Sequence, residues 1–204
     1  RFLRAVIVGY EISTRIGEAV MPSHYRFWHT TGTVGAFGAA AAAATALNLN
    51  REQFMHAVAT VGTFAAGLKQ AFLSQAMSKP LHGGHAADSG VLAALAAARG
   101  VTGALDIIEG KEGFGNAMSV NPDWSKVTRG LGTDYHIVHV TFKNHGCCGH
   151  TFPSIDGVLH LMREHKLTHK DIAKIRLATY KAGLDIIDNA RPEGEYQAKF
   201  SIQY

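Results

Sequence analysis

Cysteine is almost absent from this chain. There are two in 204 residues, and they are neighbours, Cys147 and Cys148. That count excludes a disulfide scaffold, and adjacent cysteines rarely bridge without strain. Reduced thiols of a cytoplasmic protein are the simplest expectation. Charge is sparse too: charged residues make up 18% of the chain, with 20 Lys and Arg against 16 Asp and Glu. No basic run gathers this charge into a stripe, so nucleic acid is not an expected partner. A small anionic substrate would suit the same mild excess of positive charge. Secretory signal architecture is missing, and so are internal repeats and low-complexity tracts beyond a run of alanines. The Gly-rich segment E-G-K-E-G-F-G-N at 109–116 lacks the G-K-[ST] ending and the preceding strand of a phosphate loop.

What the chain does contain points to a packed domain. Apolar residues make up 47% of it, and the length is ample for a hydrophobic core. An intrinsically disordered chain is thereby excluded. Histidine is over-represented, with twelve residues, and imidazole is the side chain that titrates near neutral pH. The chain opens R-F-L-R-A-V-I-V-G-Y without Met, with Val6, Val8 and Tyr10 in an apolar run, and closes F-S-I-Q-Y. Both ends read as cut from a longer chain.

The hydrophobic pattern predicts a helix over 2–20, stopped by Pro22. The uncharged run 32–47 must be weighed as a membrane span. Leu and Ile drive insertion, and this run is Ala and Gly, so a buried central helix is the better reading. Gly35, Ala39 and Ala43, four apart, would allow close helix packing. Asn50 and Gln53 form a capping box for a helix over 51–68. Further helices are expected over 84–99, closed by Gly100, and from Thr102 to Ile108. The pattern changes near 130. Y-H-I-V-H-V-T-F over 135–142 and D-I-A-K-I-R-L-A-T-Y over 171–180 alternate with period two and predict strands. A helix over 153–165 enters at Pro153, and 182–189 suits a short helix. The fold class is therefore mainly α: a helical domain over 1–130, then the start of a smaller α+β domain over 133–204.

Four motifs carry candidate chemistry. W-H-T-T-G-T-V-G at 28–35 puts His29 before a helix N-terminus, whose unpaired N–H groups suit a carboxylate. The same spacing also fits a capping threonine with His29 packed on Trp28. S-K-P-L-H-G-G-H at 78–85 places Lys79, His82 and His85 at intervals of three, and also fits a solvated Lys with capping histidines. F-K-N-H-G-C-C-G-H-T-F-P at 142–153 holds Lys143, His145, Cys147, Cys148 and His150. Zinc uses such spacings, but four ligands within six residues rarely converge on one ion, so no metal is expected. A-K-F-S-I-Q-Y at 198–204 holds Lys199, Ser201 and Tyr204, and spacing alone does not set these apart from an ordinary loop.

Taken in order, the motifs resemble the MmgE/PrpD family over essentially the whole chain. The resemblance rests on G-Y-E with R-I-G at 9–17, on H-Y-R-F-W-H-T-T-G-T-V-G-A-F-G-A-A-A-A-A-A at 24–44, and on M-S-K-P-L-H-G-G-H-A-A at 77–87. It continues in T-G-A-L-D-I-I-E-G-K-E-G-F at 102–114, C-C-G-H-T-F-P-S-I-D-G at 147–157 and A-K-F-S-I-Q-Y at the end. The family contains 2-methylcitrate dehydratase, cis-aconitate decarboxylase and iminodisuccinate epimerase. The resemblance implies a large helical domain with an α+β lid, a homodimer, and site residues upstream of residue 1, an Asp and a His among them. It implies that His29, Lys79, His82, Lys143 and Tyr204 line a cleft, with His29 and Tyr204 catalytic. Lys79, His82, Lys143, Cys148 and Lys199 would bind substrate. Cys148 departs from the histidine of the decarboxylase branch, and Phe152 stands where many members carry His.

The implied substrates are di- or tricarboxylates, which Lys and His donors hold well. Dehydration, epimerisation and decarboxylation all pass through a carbanion-like centre beside a carboxylate, stabilised by nearby cations and a positioned acid or base. No nicotinamide, phosphate or metal motif is present, so no cofactor is expected. The leading expectation is a metal-independent lyase of 2-methylcitrate dehydratase type. A decarboxylase, epimerase or isomerase on the same scaffold is the alternative, and a zinc-stabilised or catalytically silent binding protein is the alternative of another class.

Overall fold

The computed structural model describes residues 1–74 and 76–204. The chain divides into two compact units, Arg1–Val140 and Thr141–Tyr204.

The first unit is helical: α1 (Phe2–Val20), α2 (Val34–Ala46), α3 (Arg51–Val61), α4 (Gln70–Leu73), α5 (Leu81–Ala98), α6 (Phe114–Met118) and α7 (Ser125–Thr128). Helix α1 buries Ala5, Gly9, Ile16, Ala19 and Val20, one face at intervals of three and four. It stops where Met21 turns extended, the conformation that a residue before proline is pushed into. Helix α2 lies at the centre, against α1, α3 and α5. Val34, Ala36, Phe37, Gly38, Ala40, Ala41 and Ala44 are buried on it, which accounts for its lack of charge. The fully buried small-residue row is 36, 40 and 44, one position on from the 35, 39 and 43 of the sequence reading.

Close backbone approach, rather than large side chains, builds this core. A Cβ on Gly38 would stand 2.7 Å from the Gly9 carbonyl oxygen, and one on Gly90 would stand 2.5 Å from the Ala39 Cβ. Either is inside van der Waals contact, so α1 and α5 seat on α2 only because these positions lack side chains. Phe37 supplies the bulk and meets Phe114 of α6 edge-on, with ring centroids 5.0 Å apart.

Helix α3 opens with the expected reciprocal cap. Gln53 N donates to Asn50 Oδ1 at 2.9 Å and Asn50 N to Gln53 Oε1 at 3.2 Å. It ends at Val61 rather than near 68. A single 3₁₀ turn, Gly62–Phe64, follows, and Ala65 is extended. The helix expected over 102–108 does not form, and residues 105–109 are turns. There the carbonyls of Ile107 and Ile108 accept from Phe114 N at 2.7 Å and Gly115 N at 2.9 Å, so their partners come from the next segment instead of a helix.

The second unit holds α8 (Phe152–Glu164), with Pro153 in its first turn, α9 (Lys181–Ile187) and α10 (Glu195–Ala198). Its C-terminal loop is tied to α9, with Ile202 N donating to the Ile187 carbonyl at 2.9 Å. Neither predicted strand forms. Residues 136–139 make a 3₁₀ turn, and His136 N donates to the Glu11 side chain. Residues 172–180 lie without a ladder. A strand exists only when a neighbour takes its hydrogen bonds, and period-two alternation does not supply one. The described residues are therefore mainly α, and the α+β character expected of 133–204 is absent from them. Among the described residues no helix is long and apolar enough to cross a membrane.

Candidate functional site

His29 is carried on a short antiparallel contact between 27–29 and 67–69. Trp28 and Leu68 form an isolated bridge, His29 N donates to the Gly67 carbonyl at 2.9 Å, and Lys69 N donates to the Phe27 carbonyl at 2.8 Å. Gly67 has φ +141°, and a side chain there would meet the His82 ring at 3.3 Å. This glycine satisfies a strained backbone and clears space for an imidazole.

His82 comes from the first turn of α5, which starts three residues earlier than the pattern suggested. The His29 and His82 Nδ1 atoms are 2.9 Å apart. Phe72 of α4 completes the cluster: His29 meets its ring edge-on, with centroids 4.6 Å apart, and Lys79 Nζ lies 4.4 Å from its centroid. Burial first, then the charges of His82 and Lys79, lower the His29 pKa from 6.5 to about 4. His29 is therefore neutral at pH 7. The structure thus brings His29, Lys79 and His82 together.

The surroundings of His29 differ from the simplest expectation. At the start of α2, Gly32 N and Thr33 N donate to the His29 carbonyl and Gly35 N to that of Thr30, so these three amides are engaged within the chain. His29 does not rest on Trp28 alone, since Phe72 and His82 are its ring partners. Phe72 carries no motif signal; a single Phe in a short helix is not distinguishable by spacing. His24, which spacing did not single out, is fully buried between the Met118 carbonyl at Nδ1 (3.0 Å) and Thr33 Oγ1 at Nε2 (2.8 Å). Burial lowers its pKa.

Beside the cluster, Ala66, Gln70, Ser74, Ser78, His82 and His85 help to line a cavity of about 570 Å³. His85 directs Nε2 to the Phe64 carbonyl at 3.1 Å.

The remaining sequence candidates belong to the second unit. Lys143 is exposed, with Nζ 3.4 Å from the Cys147 carbonyl. Cys148 is half-buried, and its N–H donates to the Lys199 carbonyl at 2.8 Å. The Lys199 ammonium pairs with Glu195 at 2.7 Å on the surface. Tyr204 is 87% exposed. Cys147, Lys199 and Tyr204 share the lining of a cavity of about 1230 Å³ with apolar residues of α8 and α9. Cys147 and Cys148 are both free thiols. The zinc-like spacing does not close into a cluster: His145 pairs with Asp156 at 2.8 Å, His150 with the Tyr180 hydroxyl, and Cys147 Sγ with Thr151 at 3.1 Å. Among the described residues, no group of three or more His, Cys, Asp or Glu is placed to hold a metal ion.

Comparison with known proteins agrees with the motifs. The MmgE/PrpD N-terminal domain model matches residues 1–127, and the MmgE/PrpD C-terminal domain model matches residues 145–204. The cis-aconitate decarboxylase-like protein oryM of Aspergillus oryzae is 29% identical over 173 residues, 80% of this chain and 36% of that protein. The cis-aconitate decarboxylase of Aspergillus terreus is 28% identical over 183 residues, 84% of this chain and 37% of that protein. The chain spans a little over a third of the length of these curated relatives. Two domain models matched in order along most of its length carry the assignment: the chain belongs to the MmgE/PrpD family.

Proposed function

We propose that the protein is a metal-independent lyase acting on a di- or tricarboxylic acid, by elimination of water from a 2-methylcitrate-type substrate. The observation that carries this reading is the cluster of neutral His29 with Lys79 around Phe72. A lysine beside a neutral imidazole pairs a carboxylate donor with a base, the combination that removal of a proton next to a carboxylate demands. In the proposed step, His29 takes the C–H proton, the double bond forms, and the C–O bond breaks as Tyr204 protonates the leaving hydroxyl. Lys79, Lys143 and Lys199 hold carboxylates, with His82 and Cys148 beside them in the substrate-binding set. Segments 1–130 and 133–204 belong to a helical domain and a lid. The protein works as a homodimer, and adjacent free thiols suit the reducing cytoplasm.

The names of the relatives favour a second reading, loss of CO₂ from cis-aconitate. It needs the same carboxylate-binding cations and a proton delivered to the resulting carbanion-like carbon. The intact protein, incubated with 2-methylcitrate and with cis-aconitate, separates the two. Water loss shows as ultraviolet absorbance of the new double bond, and decarboxylation as released CO₂. Turnover of neither acid removes both readings.

A further inference from the structure

Two imidazoles that meet nitrogen to nitrogen at 2.9 Å, as His29 and His82 do, share one proton. With no proton, two lone pairs face each other; with two, the N–H groups collide. A pair of neutral rings then carries one proton between the Nδ1 atoms and a second on Nε2 of the accepting ring. Two such arrangements exist. They interconvert when both protons shift, and the charge of the pair is the same before and after.

The surroundings hold the rings in this contact. The His29 backbone is tied to Gly67, and its ring is braced by the Phe72 edge. His82 sits in the first turn of α5, with its amide bonded to the Lys79 carbonyl at 3.2 Å, and it also lines the 570 Å³ cavity. That cavity is largely apolar but opens to solvent, with Gln70, Ser74 and Ser78 on its lining, so bulk water reaches it and can carry a proton.

We propose that His82 is a positioning residue that completes a two-histidine proton relay running from His29 to this cavity. The relay rests on the reading of His29 as a proton-transfer group. His29 gains a proton at Nε2, its Nδ1–H bond breaks as a bond forms to the Nδ1 of His82, and the Nε2–H of His82 passes to the cavity. One proton enters, one leaves, and both rings end neutral. In reverse, the relay delivers a proton, as decarboxylation requires. Burial and the neighbouring charges disfavour a cationic His29, and the relay spares the site from holding that charge. The titratable groups around the pair are Lys79, before α5, and His85, one turn along it and engaged with the Phe64 carbonyl. Lys69 instead places its ammonium 4.2 Å from the Tyr25 ring centroid.

Nitrogen-15 NMR of the intact, histidine-labelled protein tests the shared proton without reference to turnover. The expected spectrum has one of the two rings protonated at Nδ1 and the other bare there. Both rings bare at Nδ1 overturns the relay. The kinetic arm uses His82→Asn, whose amide occupies about the place of Nδ1 but has no second nitrogen to release a proton. Its kcat should fall at least about tenfold, within the range for acid–base groups. The limb of the kcat pH profile that belongs to the pair should move, which a purely substrate-binding His82 would not do. An unchanged pH profile, with or without loss of kcat, overturns the relay. Should the variant fail to fold, the wild-type spectrum still decides. Should the protein turn over neither acid, the lyase reading falls, while the spectrum separately decides whether the proton is shared.

Discussion

Arg15 donates from Nη1 to the carbonyl oxygen of Arg129 at 2.6 Å, across 114 residues of sequence. The same guanidinium reaches the Asp134 carbonyl at 2.7 Å and the Glu11 carboxylate at 2.8 Å, and Glu11 in turn accepts from His136 N. Arg15 is 2% exposed. One buried fork on α1 therefore ties down the segment that closes the first unit, which has no ladder of its own to hold it.

Replacing Arg15 with Ala is expected to destabilise the protein by about 3–5 kcal/mol, because Glu11 is left buried without its partner. Arg15→Lys should recover only part of this, since an ammonium cannot match a planar fork that reaches four acceptors, the Val127 carbonyl at 3.4 Å among them. Urea denaturation of the three proteins checks it. An Arg15→Ala variant as stable as wild type would show the network to be dispensable.

Acid should weaken the fold through its buried histidines. His29 is lowered from 6.5 to about 4 in the folded protein, and His24 is also lowered. Between those values the unfolded chain binds more protons than the folded one, so stability falls as pH drops. The contribution is fully present above about 6.5 and is lost as pH falls through about 4. Denaturation midpoints at pH 7.5, 5.5 and 4.5 should fall in that order, less steeply in His29→Gln. Equal slopes in the two proteins would place the acid sensitivity elsewhere.

Two glycines of α5 should respond oppositely to alanine. Gly90 abuts the α2 backbone, whereas a Cβ on Gly84 meets nothing within 4 Å. Gly90→Ala should cost about 1–3 kcal/mol by overpacking. Gly84→Ala should be neutral or stabilise by up to about 1 kcal/mol through helix propensity. Thermal melts of the pair decide it; a Gly90→Ala variant that melts as high as Gly84→Ala would refute the close-approach account.

In the intact protein, Lys79→Ala should lower kcat/KM at least about tenfold, equivalent to ~1.4 kcal/mol of transition-state stabilisation. Wild-type kinetics would remove Lys79 from the site.

Tyr204→Phe deletes only a hydroxyl. If that group gives a proton, kcat falls and KM barely moves. A raised KM with intact kcat would instead make Tyr204 a binding residue.

The local signals in the sequence determined the helices that stand at their expected places. The proline after Met21 ends α1, the Asn50–Gln53 pair opens α3, and Pro153 lies in the first turn of α8. Each acts within a few residues, so a linear reading finds it. The uncharged alanine run likewise announced the buried α2, and the ordered motifs announced the family. Tertiary structure decided what depends on distant partners. It set which alanine row is buried, since that follows from where α1 and α5 land. It left 135–142 and 171–180 without ladders, because alternation does not provide a neighbouring strand. It also brought His29 against His82 across 53 residues, with Phe72 between His29 and Lys79. No spacing rule encodes that meeting: it exists only once the 27–29 and 67–69 segments pair and α5 packs on α2.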